Sequence, residues 1–231
     1  MNDQGQIGDG TTTDRSVPTA VQGGRVFASL ADGSANHACG LTSVGAAYCW
    51  GANAFGTLGD GTIVNRLLPV AVSGGLTFKS LAVSQTATCG ITITNALYCW
   101  GWAGGGIYGD GAQGIVRTTP TQVNTGGLTF ASVTVGQTGV CALTFGGSAY
   151  CWGLNGSGQL GDNTTSRRTT PTAVAGGLTF ASISAGDAST CAVTPTNIAY
   201  CWGANGNGRL GDNTTTNRRV PTPVAGSLLF S

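Results

Sequence analysis

The sequence predicts an all-β protein built as a β-propeller, and three observations support this. A unit of about 50 residues recurs along the 231-residue chain. Four of these units end in two cysteines ten positions apart, the second followed by Trp-Gly, and Gly-rich turns separate short apolar stretches. No segment shows sustained helical spacing of apolar residues. Four short strands per repeat with a Trp in a fixed place are typical of a propeller blade.

The cysteine-containing segments are predicted to be β-hairpins. If Cys39 faces Cys49 across an antiparallel pair, a three-residue loop, 43–45, remains. Such loops commonly combine a type I turn with a last residue in the left-handed region, which favours Gly or Asn. That last residue is Gly or Asn in all four copies: Gly45, Asn95, Gly147 and Asn197.

The eight cysteines are predicted to form four disulfides, because directly opposite residues of a hairpin lie close enough for one. Reduced thiols are the alternative, since reduced cysteine also packs well in a core. A metal site is disfavoured because the chain has one histidine, His37, and no Cys-x-x-Cys pair. Disulfides indicate an extracellular, periplasmic or cell-surface protein. The predicted pairs are Cys39–Cys49, Cys89–Cys99, Cys141–Cys151 and Cys191–Cys201.

Composition and charge argue against several classes of partner. Only 8% of the residues are charged and the formal net charge is +1, so a nucleic-acid partner held by phosphate attraction is not expected. No apolar run approaches the roughly 20 residues of a membrane helix, so membrane insertion is not expected either. Another protein is the expected partner.

The repeat resembles the regulator of chromosome condensation repeat. Residues 202–212 read Trp-Gly-Ala-Asn-Gly-Asn-Gly-Arg-Leu-Gly-Asp, followed downstream by Pro-Thr-Pro-Val, and related stretches recur over essentially the whole chain. The resemblance implies a β-propeller, usually seven-bladed. The cysteine-bearing variant is similar to repeats in secreted and surface proteins of bacteria.

The chain is interpreted as one propeller domain of four and a half units, a partial or open propeller. Each unit is expected to hold a strand after its proline, a Phe-led strand and two hairpin strands. Exposed strand edges favour association with further repeats of the same array or with a second copy. The units are 1–51, 52–101, 102–153 and 154–203, and the half unit 204–231 stops at the start of its Phe-led strand.

Two repeated residue types are predicted to be structural. The Asp of each Gly-Asp motif stands alone in its unit, which is too few ligands for a calcium site, so it is expected to accept backbone N–H bonds and fix a turn. The Trp beside each second cysteine is expected to pack in the core rather than to stack on a ligand. These residues are Asp9, Asp60, Asp110, Asp162, Asp212, Trp50, Trp100, Trp152 and Trp202.

Arginines follow each Gly-Asp motif and are candidate binding residues. Equivalent positions of successive blades lie on one rim, so the guanidinium groups could form a cationic arc facing an acidic partner. The alternative is that each pairs with a nearby Asp or carbonyl group, or is simply solvated. The candidates are Arg66, Arg117, Arg167, Arg168, Arg218 and Arg219.

Apolar residues that break the repeat form a second set of rim candidates. They stand where other units carry Gly, Thr, Asn or Arg, or, for Trp102, Ala or Leu, and exposed aromatic side chains on one rim are typical of an interface. Drift of the local core is the alternative. The candidates are Trp102, Phe55, Tyr108 and Ile115, with Leu67 and Leu68 nearby in sequence.

The sequence favours a non-enzymatic protein-binding module that is secreted or displayed at the cell surface. The chain has no Glu and one His, so no catalytic residue, metal or cofactor is predicted. The family resemblance implies two alternatives. One is a guanine-nucleotide exchange factor-like regulator of a small GTPase, and the other is an inhibitor-like binder of an extracellular enzyme.

Overall fold

A computed structural model of the chain describes residues 1–31, 36–102 and 104–226. In this part of the chain all regular structure is β: sixteen strands form four four-stranded antiparallel sheets. The predicted all-β class is confirmed. Contacts divide the chain into two compact units, 1–103 with 114–123 and 104–113 with 124–231.

The first compact unit contains two sheets, each with its strands in sequence order. One sheet consists of β1 (Ser29–Ala31), β2 (His37–Leu41), β3 (Ala47–Gly51) and β4 (Arg66–Ala71). The other consists of β5 (Phe78–Val83), β6 (Ala87–Thr92), β7 (Leu97–Trp102) and β8 (Val116–Gln122).

The second compact unit contains the remaining two sheets, again with neighbouring strands consecutive in sequence. One consists of β9 (Phe130–Val135), β10 (Gly139–Thr144), β11 (Ala149–Gly153) and β12 (Arg168–Ala173). The other consists of β13 (Ser182–Ala185), β14 (Ser189–Val193), β15 (Ala199–Gly203) and β16 (Arg218–Pro223).

The hairpins have the predicted register. Cys39 pairs with Cys49 between β2 and β3, and the other three hairpins show the same pairing of their cysteines. The last loop residue has positive φ in every copy, with values of 67° at Asn95 and 80° at Gly45. Asn tolerates this region better than other residues with a Cβ, which explains why Asn or Gly stands there.

The strand predicted to follow each proline contains the proline instead. Cys49 pairs with Val70 and Gly51 pairs with Arg66, so the register shifts between them and Pro69 lies within the shifted stretch of β4. Because β4 is an edge strand, the missing N–H of proline leaves no ladder bond unmade there. β8, β12 and β16 contain their prolines in the same way.

The sheets are offset from the sequence units. β1, β2 and β3 belong to unit 1–51, whereas their partner β4 belongs to unit 52–101. A sheet therefore begins at the Phe-led strand and takes its fourth strand from the next unit. The unit boundaries therefore describe the period of the sequence, not the limits of a sheet. The boundaries of the units and the assignment of a single domain stay predictions.

Two predictions concern the two ends of the chain. A strand around Pro18 is not present: among the described residues, β1 is the first strand. Within the described ranges no strand pairs with the segment 15–20. The expected Phe-led strand of the half unit 204–231 falls on 227–231, outside the described residues.

The cores contain the tryptophans and the cystines. Each Trp of a Trp-Gly pair is buried, and the indole N–H of Trp100 donates to the carbonyl of Thr57 at 2.7 Å. In the first compact unit Trp100 belongs to one apolar cluster with Cys39, Cys49 and Leu58. The burial agrees with the packing role predicted for the tryptophans. Within the described ranges no helix is long and apolar enough to span a bilayer.

Candidate functional site

Four of the Gly-Asp loops are built around a buried carboxylate, whereas Asp110 is exposed and accepts from the backbone N–H of Ala112 at 2.9 Å. Asp60 Oδ1 accepts bonds from the backbone N–H and the hydroxyl of Thr62, at 2.9 and 2.7 Å. Its Oδ2 lies 2.8 Å from Arg66 Nη2. Burial raises the pKa of Asp60, but the hydrogen bonds from Thr62 and Arg66 outweigh burial and hold this pKa below its ordinary value. The carboxylate fixes the turn, as predicted, and the same arrangement recurs at Asp9, Asp162 and Asp212.

A buried asparagine completes each of these loops, and the sequence reasoning missed it. Asn53 is fully buried and its Nδ2 donates to Asp60 Oδ1 and to the carbonyls of Thr62 and Val64, each at 3.1 Å. Its Oδ1 accepts from the N–H of Leu58. The signal was the recurrence of Asn two residues after Trp-Gly. Equivalent asparagines are Asn2, Asn155 and Asn205.

Three of the six arginine candidates are paired with carboxylates. Arg66, Arg168 and Arg218 pair with buried carboxylates at 2.6 to 2.8 Å. This is the pairing alternative considered from the sequence, and these three guanidinium groups are not free charges for an acidic partner. Of the other candidates, Arg117 is half-buried in β8, Arg167 is exposed and donates to Gln113, and Arg219 is exposed.

The cysteines of each predicted pair lie at disulfide bonding distance. The sulfur atoms are 2.09 Å apart between Cys39 and Cys49 and 2.04 Å apart between Cys89 and Cys99. The pairs Cys141–Cys151 and Cys191–Cys201 are bonded in the same way. Each pair joins the central two strands of its sheet, beside the tryptophan that packs in the core.

Tyr108 corrects one of the rim predictions, because its side chain is fully buried, with 0% exposure. It occupies the position before Gly-Asp at which other units carry Leu58, Leu160 or Leu210, and these leucines are buried as well. This position belongs to the core in each case. Tyr108 is therefore a core substitution, not an interface residue.

The other apolar candidates lie together on an exposed surface of the first compact unit. The rings of Phe55 and Trp102 stack with centroids 5.9 Å apart and remain 42% and 39% exposed. Trp102 pairs across strands with Val116, and Ile115 adjoins Val116 in the chain; both are exposed. We call Phe55, Trp102, Ile115 and Val116 the aromatic surface. Leu67 and Leu68, in β4, are also exposed.

Titratable groups do not converge on a chemical centre in the described residues. No three His, Cys, Asp or Glu side chains there are placed to hold a metal ion. His37 is buried and its Nε2 lies 2.9 Å from Thr88 Oγ1. Burial lowers the pKa of His37 to about 4, so the ring is neutral near pH 7.

Sequence comparison identifies the repeat. A profile described as the regulator of chromosome condensation (RCC1) repeat matches residues 44–97, 146–193 and 198–228. These matches cover more than half of the chain. The chain belongs to the RCC1 repeat family. A second RCC1 repeat profile matches residues 130–159 and 180–209.

Solved structures share the fold. Human WBSCR16 matches with a TM-score of 0.83 at 19% identity, over 98% of this chain and 61% of that one. Yeast RCC1 (Prp20), in a structure with bound Kap60, matches with a TM-score of 0.78 at 23% identity, over 90% of this chain and 50% of that one. The chain thus spans half to about three fifths of these proteins, as a partial set of RCC1-type propeller blades.

Proposed function

We propose that this chain is a non-enzymatic, secreted or cell-surface propeller module that binds another protein through the aromatic surface. The stack of Phe55 on Trp102 carries the proposal. The equivalent residues are Gly105, Ser157 and Asn207 for Phe55, and Ala52, Leu154 and Ala204 for Trp102. The scaffold therefore forms without aromatic side chains at either position.

The chemistry of the aromatic surface suits a protein partner. Aromatic residues, Trp above all, are enriched among residues that dominate binding energy, since a large rigid side chain buries much area with few rotatable bonds. Val116 and Ile115 extend the exposed apolar area beside the aromatic pair. Exposed apolar side chains collected in one place are typical of interaction sites.

The four disulfides support the proposal that the protein is secreted or displayed at the cell surface. Disulfides persist in oxidising environments and are rare in the cytosol. Intact-mass measurement of the protein from its native host tests this point. The proposal expects a mass lower than that of the reduced chain by eight hydrogen atoms, one for each cysteine. A fully reduced native protein would contradict it.

The solved structures of similar proteins support the proposal that the partner is a protein. One yeast RCC1 structure contains Kap60, and another was described with its binding to Gsp1p and histones. The sequence analysis gave two alternatives, a GTPase regulator and an inhibitor of an extracellular enzyme. Each alternative names a particular class of protein partner, which the main proposal does not. No contact in the described residues favours either.

Partner capture with matched variants tests the proposal. The immobilised chain is incubated with secreted and surface proteins of its host, and retained proteins are identified by mass spectrometry. One variant is Phe55→Ser with Trp102→Ala, which restores residues found in other repeats. The control is Phe145→Ser, at another exposed Phe. The proposal expects a protein retained by wild type and control and lost by the double variant. Equal retention by all three would contradict it.

A further inference from the structure

The second compact unit contains three Asn-x-Ser/Thr tripeptides, the acceptor motif of N-linked glycosylation. One begins at Asn155, in the turn after Trp-Gly, and the other two begin at Asn163 and Asn213, directly after a Gly-Asp motif. The first compact unit, which contains the aromatic surface, has no such tripeptide. The motif alone does not distinguish the three asparagines. The structure does, because sugar transfer needs an exposed amide that is not already bonded.

Asn155 is excluded as an acceptor by its contacts. Its side chain is 1% exposed, and its Nδ2 donates to Asp162 Oδ1 at 3.0 Å. The same Nδ2 donates to the carbonyls of Thr164 and Ser166, each at 3.1 Å. A sugar would replace one of the two hydrogens on Nδ2 and would separate the amide from these partners, at the cost of leaving them without a hydrogen bond. The folded chain therefore has no room for a glycan at Asn155.

Asn163 has the opposite surroundings. Asn163 and Thr165 are both exposed, and within the described ranges neither side chain makes a hydrogen bond to the protein. The backbone N–H of Asn163 donates to the carbonyl of Arg219 at 2.9 Å. The loop thus holds the residue in place at the surface while its amide remains unbonded, as an acceptor requires.

The loop after Asp212 repeats this arrangement. Asn213 and Thr215 are exposed, and in the part of the chain that the structure describes their side chains make no hydrogen bond. The residue between them, Thr214, donates its hydroxyl to Asp212 Oδ1 at 2.8 Å. The middle residue of the motif therefore anchors the loop, and the two residues that a transferase recognises stay unbonded.

The scaffold does not require this combination of Asn and Thr. At the position of Asn163 three other loops carry Gly, and φ lies between 60° and 86° in all five. Gly and Asn both tolerate this left-handed conformation, so turn geometry accounts for the Asn. It does not account for the Thr two residues later, where Ile63 stands in the loop after Asp60. Asn and Thr occur together at these positions in two of the five loops.

We propose that Asn163 and Asn213 are N-glycosylation sites whose substrate is an oligosaccharide carried on a polyisoprenoid pyrophosphate. Transfer forms a bond between the Asn Nδ2 and the anomeric carbon of the first sugar. The bond from that carbon to the pyrophosphate oxygen breaks, the lipid pyrophosphate leaves, and the amide loses one proton. The inference rests on the secreted or cell-surface location in the proposed function, because glycosylation at this motif belongs to secreted proteins.

Peptide mapping of the secreted protein from its native host tests the proposal. Peptide-N-glycosidase removes an N-linked glycan and converts the Asn to Asp, and heavy-oxygen water labels this Asp for mass spectrometry. Labelled Asp is expected at positions 163 and 213 and not at 155. Absence of the label at both 163 and 213 would overturn the proposal. So would a label at 155 in the folded protein, because the structure excludes a glycan there.

The same sample separates this proposal from the proposed function. A secreted protein with its four disulfides and no glycan overturns the glycosylation sites and leaves the proposed function standing. A glycosylated protein that captures no partner through the aromatic surface supports the glycosylation sites and contradicts the proposed function.

Thr165 offers a matched pair of variants. Thr165→Val keeps the shape of the side chain but removes the hydroxyl that the motif needs, so it is expected to abolish the glycan at Asn163 and preserve the one at Asn213. Thr165→Ser retains the motif and is expected to preserve both. Since Thr165 is exposed and unbonded, both variants should fold as the wild type does. Equal glycan occupancy at Asn163 in the two variants would overturn the proposal.

Transfer to the purified chain tests the contribution of the fold. The unglycosylated chain is incubated with an oligosaccharyl transferase that accepts Asn-x-Ser/Thr and with its lipid-linked donor. The folded chain is expected to accept sugar at Asn163 and Asn213 at least about tenfold faster than at Asn155, because acceptance at Asn155 needs local opening. The reduced and alkylated chain, shown by circular dichroism to be unfolded, should accept at all three. Equal rates at the three sites of the folded chain would overturn the proposal.

Discussion

The side chains of Asn53 and Asp60 are joined by a hydrogen bond of 3.1 Å between Asn53 Nδ2 and Asp60 Oδ1. The amide belongs to the turn that follows Trp-Gly, and the carboxylate belongs to the Gly-Asp motif. Asn53 therefore ties together two loop segments that the sequence presents as separate motifs.

Replacement of Asn53 by Ala is expected to lower the free energy of unfolding by about 2–4 kcal/mol. The change leaves the N–H of Leu58 and the carbonyls of Thr62 and Val64 without their buried partner. Urea unfolding followed by circular dichroism measures the effect. Asn207→Ala, at an exposed asparagine, is the control and should change stability by less than about 0.5 kcal/mol. A similar small change at Asn53 would contradict the structural role.

His37 is expected to make the protein less stable in mild acid. Its pKa falls from 6.5 to about 4 on folding because burial disfavours the charged ring. The unfolded chain thus binds the proton first, and stability present at pH 7 is lost as the pH falls from 6.5 towards 4. The loss approaches roughly 3 kcal/mol.

The variant His37→Ala, which introduces the residue found at the equivalent Ala87, tests this cause. Its free energy of unfolding should vary less between pH 7 and pH 5 than that of the wild type. Below the usual pKa of Asp both proteins should lose stability together, because the pKa values of Asp60, Asp162 and Asp212 are lowered by folding. If the free energies of unfolding of the two proteins changed in parallel over the whole pH range, His37 would not be the cause of the loss of stability in mild acid.

Loss of one cystine is expected to destabilise the fold without changing its class. Replacing Cys89 and Cys99 by Ala removes a cross-link between β6 and β7, and the chain-entropy estimate for so short a loop is about 2–3 kcal/mol. Thermal unfolding in the presence and absence of a reductant measures the effect. Without reductant, the unfolding temperature of the wild type should be higher than that of the variant. With reductant, both proteins lose their disulfides and the two unfolding temperatures should be similar. An unchanged wild-type transition under reduction would contradict a stabilising role.

The hairpins could be predicted because their determinants are local. A fixed cysteine spacing and a Gly or Asn at one loop position define both register and turn, and Asn95 and Gly45 have the expected φ. The strand that contains Pro69 was harder to place, since its partner β3 comes from the preceding sequence unit. Periodicity reveals the length of a repeat but not where a sheet begins.

The candidate site was only partly predictable. Phe55 and Trp102 were recognisable as departures from the repeat, but their stacking is a contact between a loop and the end of β7 that no spacing encodes. Tyr108 departs from the repeat in the same way and is nevertheless buried. Burial of a substituted position depends on the surrounding packing, which one sequence does not show.

The aromatic pair should contribute little to folding. Both rings are partly exposed, and their stacking adds about 0.5–1.5 kcal/mol to what their partial burial contributes. The variant Phe55→Ser with Trp102→Ala should therefore remain folded and lose less than the cost of truncating one fully buried Phe or Trp, which is about 3–5 kcal/mol. A loss of several kcal/mol in urea unfolding would instead indicate that the two rings belong to the local core.

The affinity of this double variant for the captured partner tests the account most directly. Isothermal titration calorimetry should show binding at least about 100-fold weaker than for wild type, because two central aromatic anchors are lost. Phe145→Ser should bind as the wild type does. Wild-type affinity in the folded double variant would contradict the assignment of the aromatic surface as the binding site.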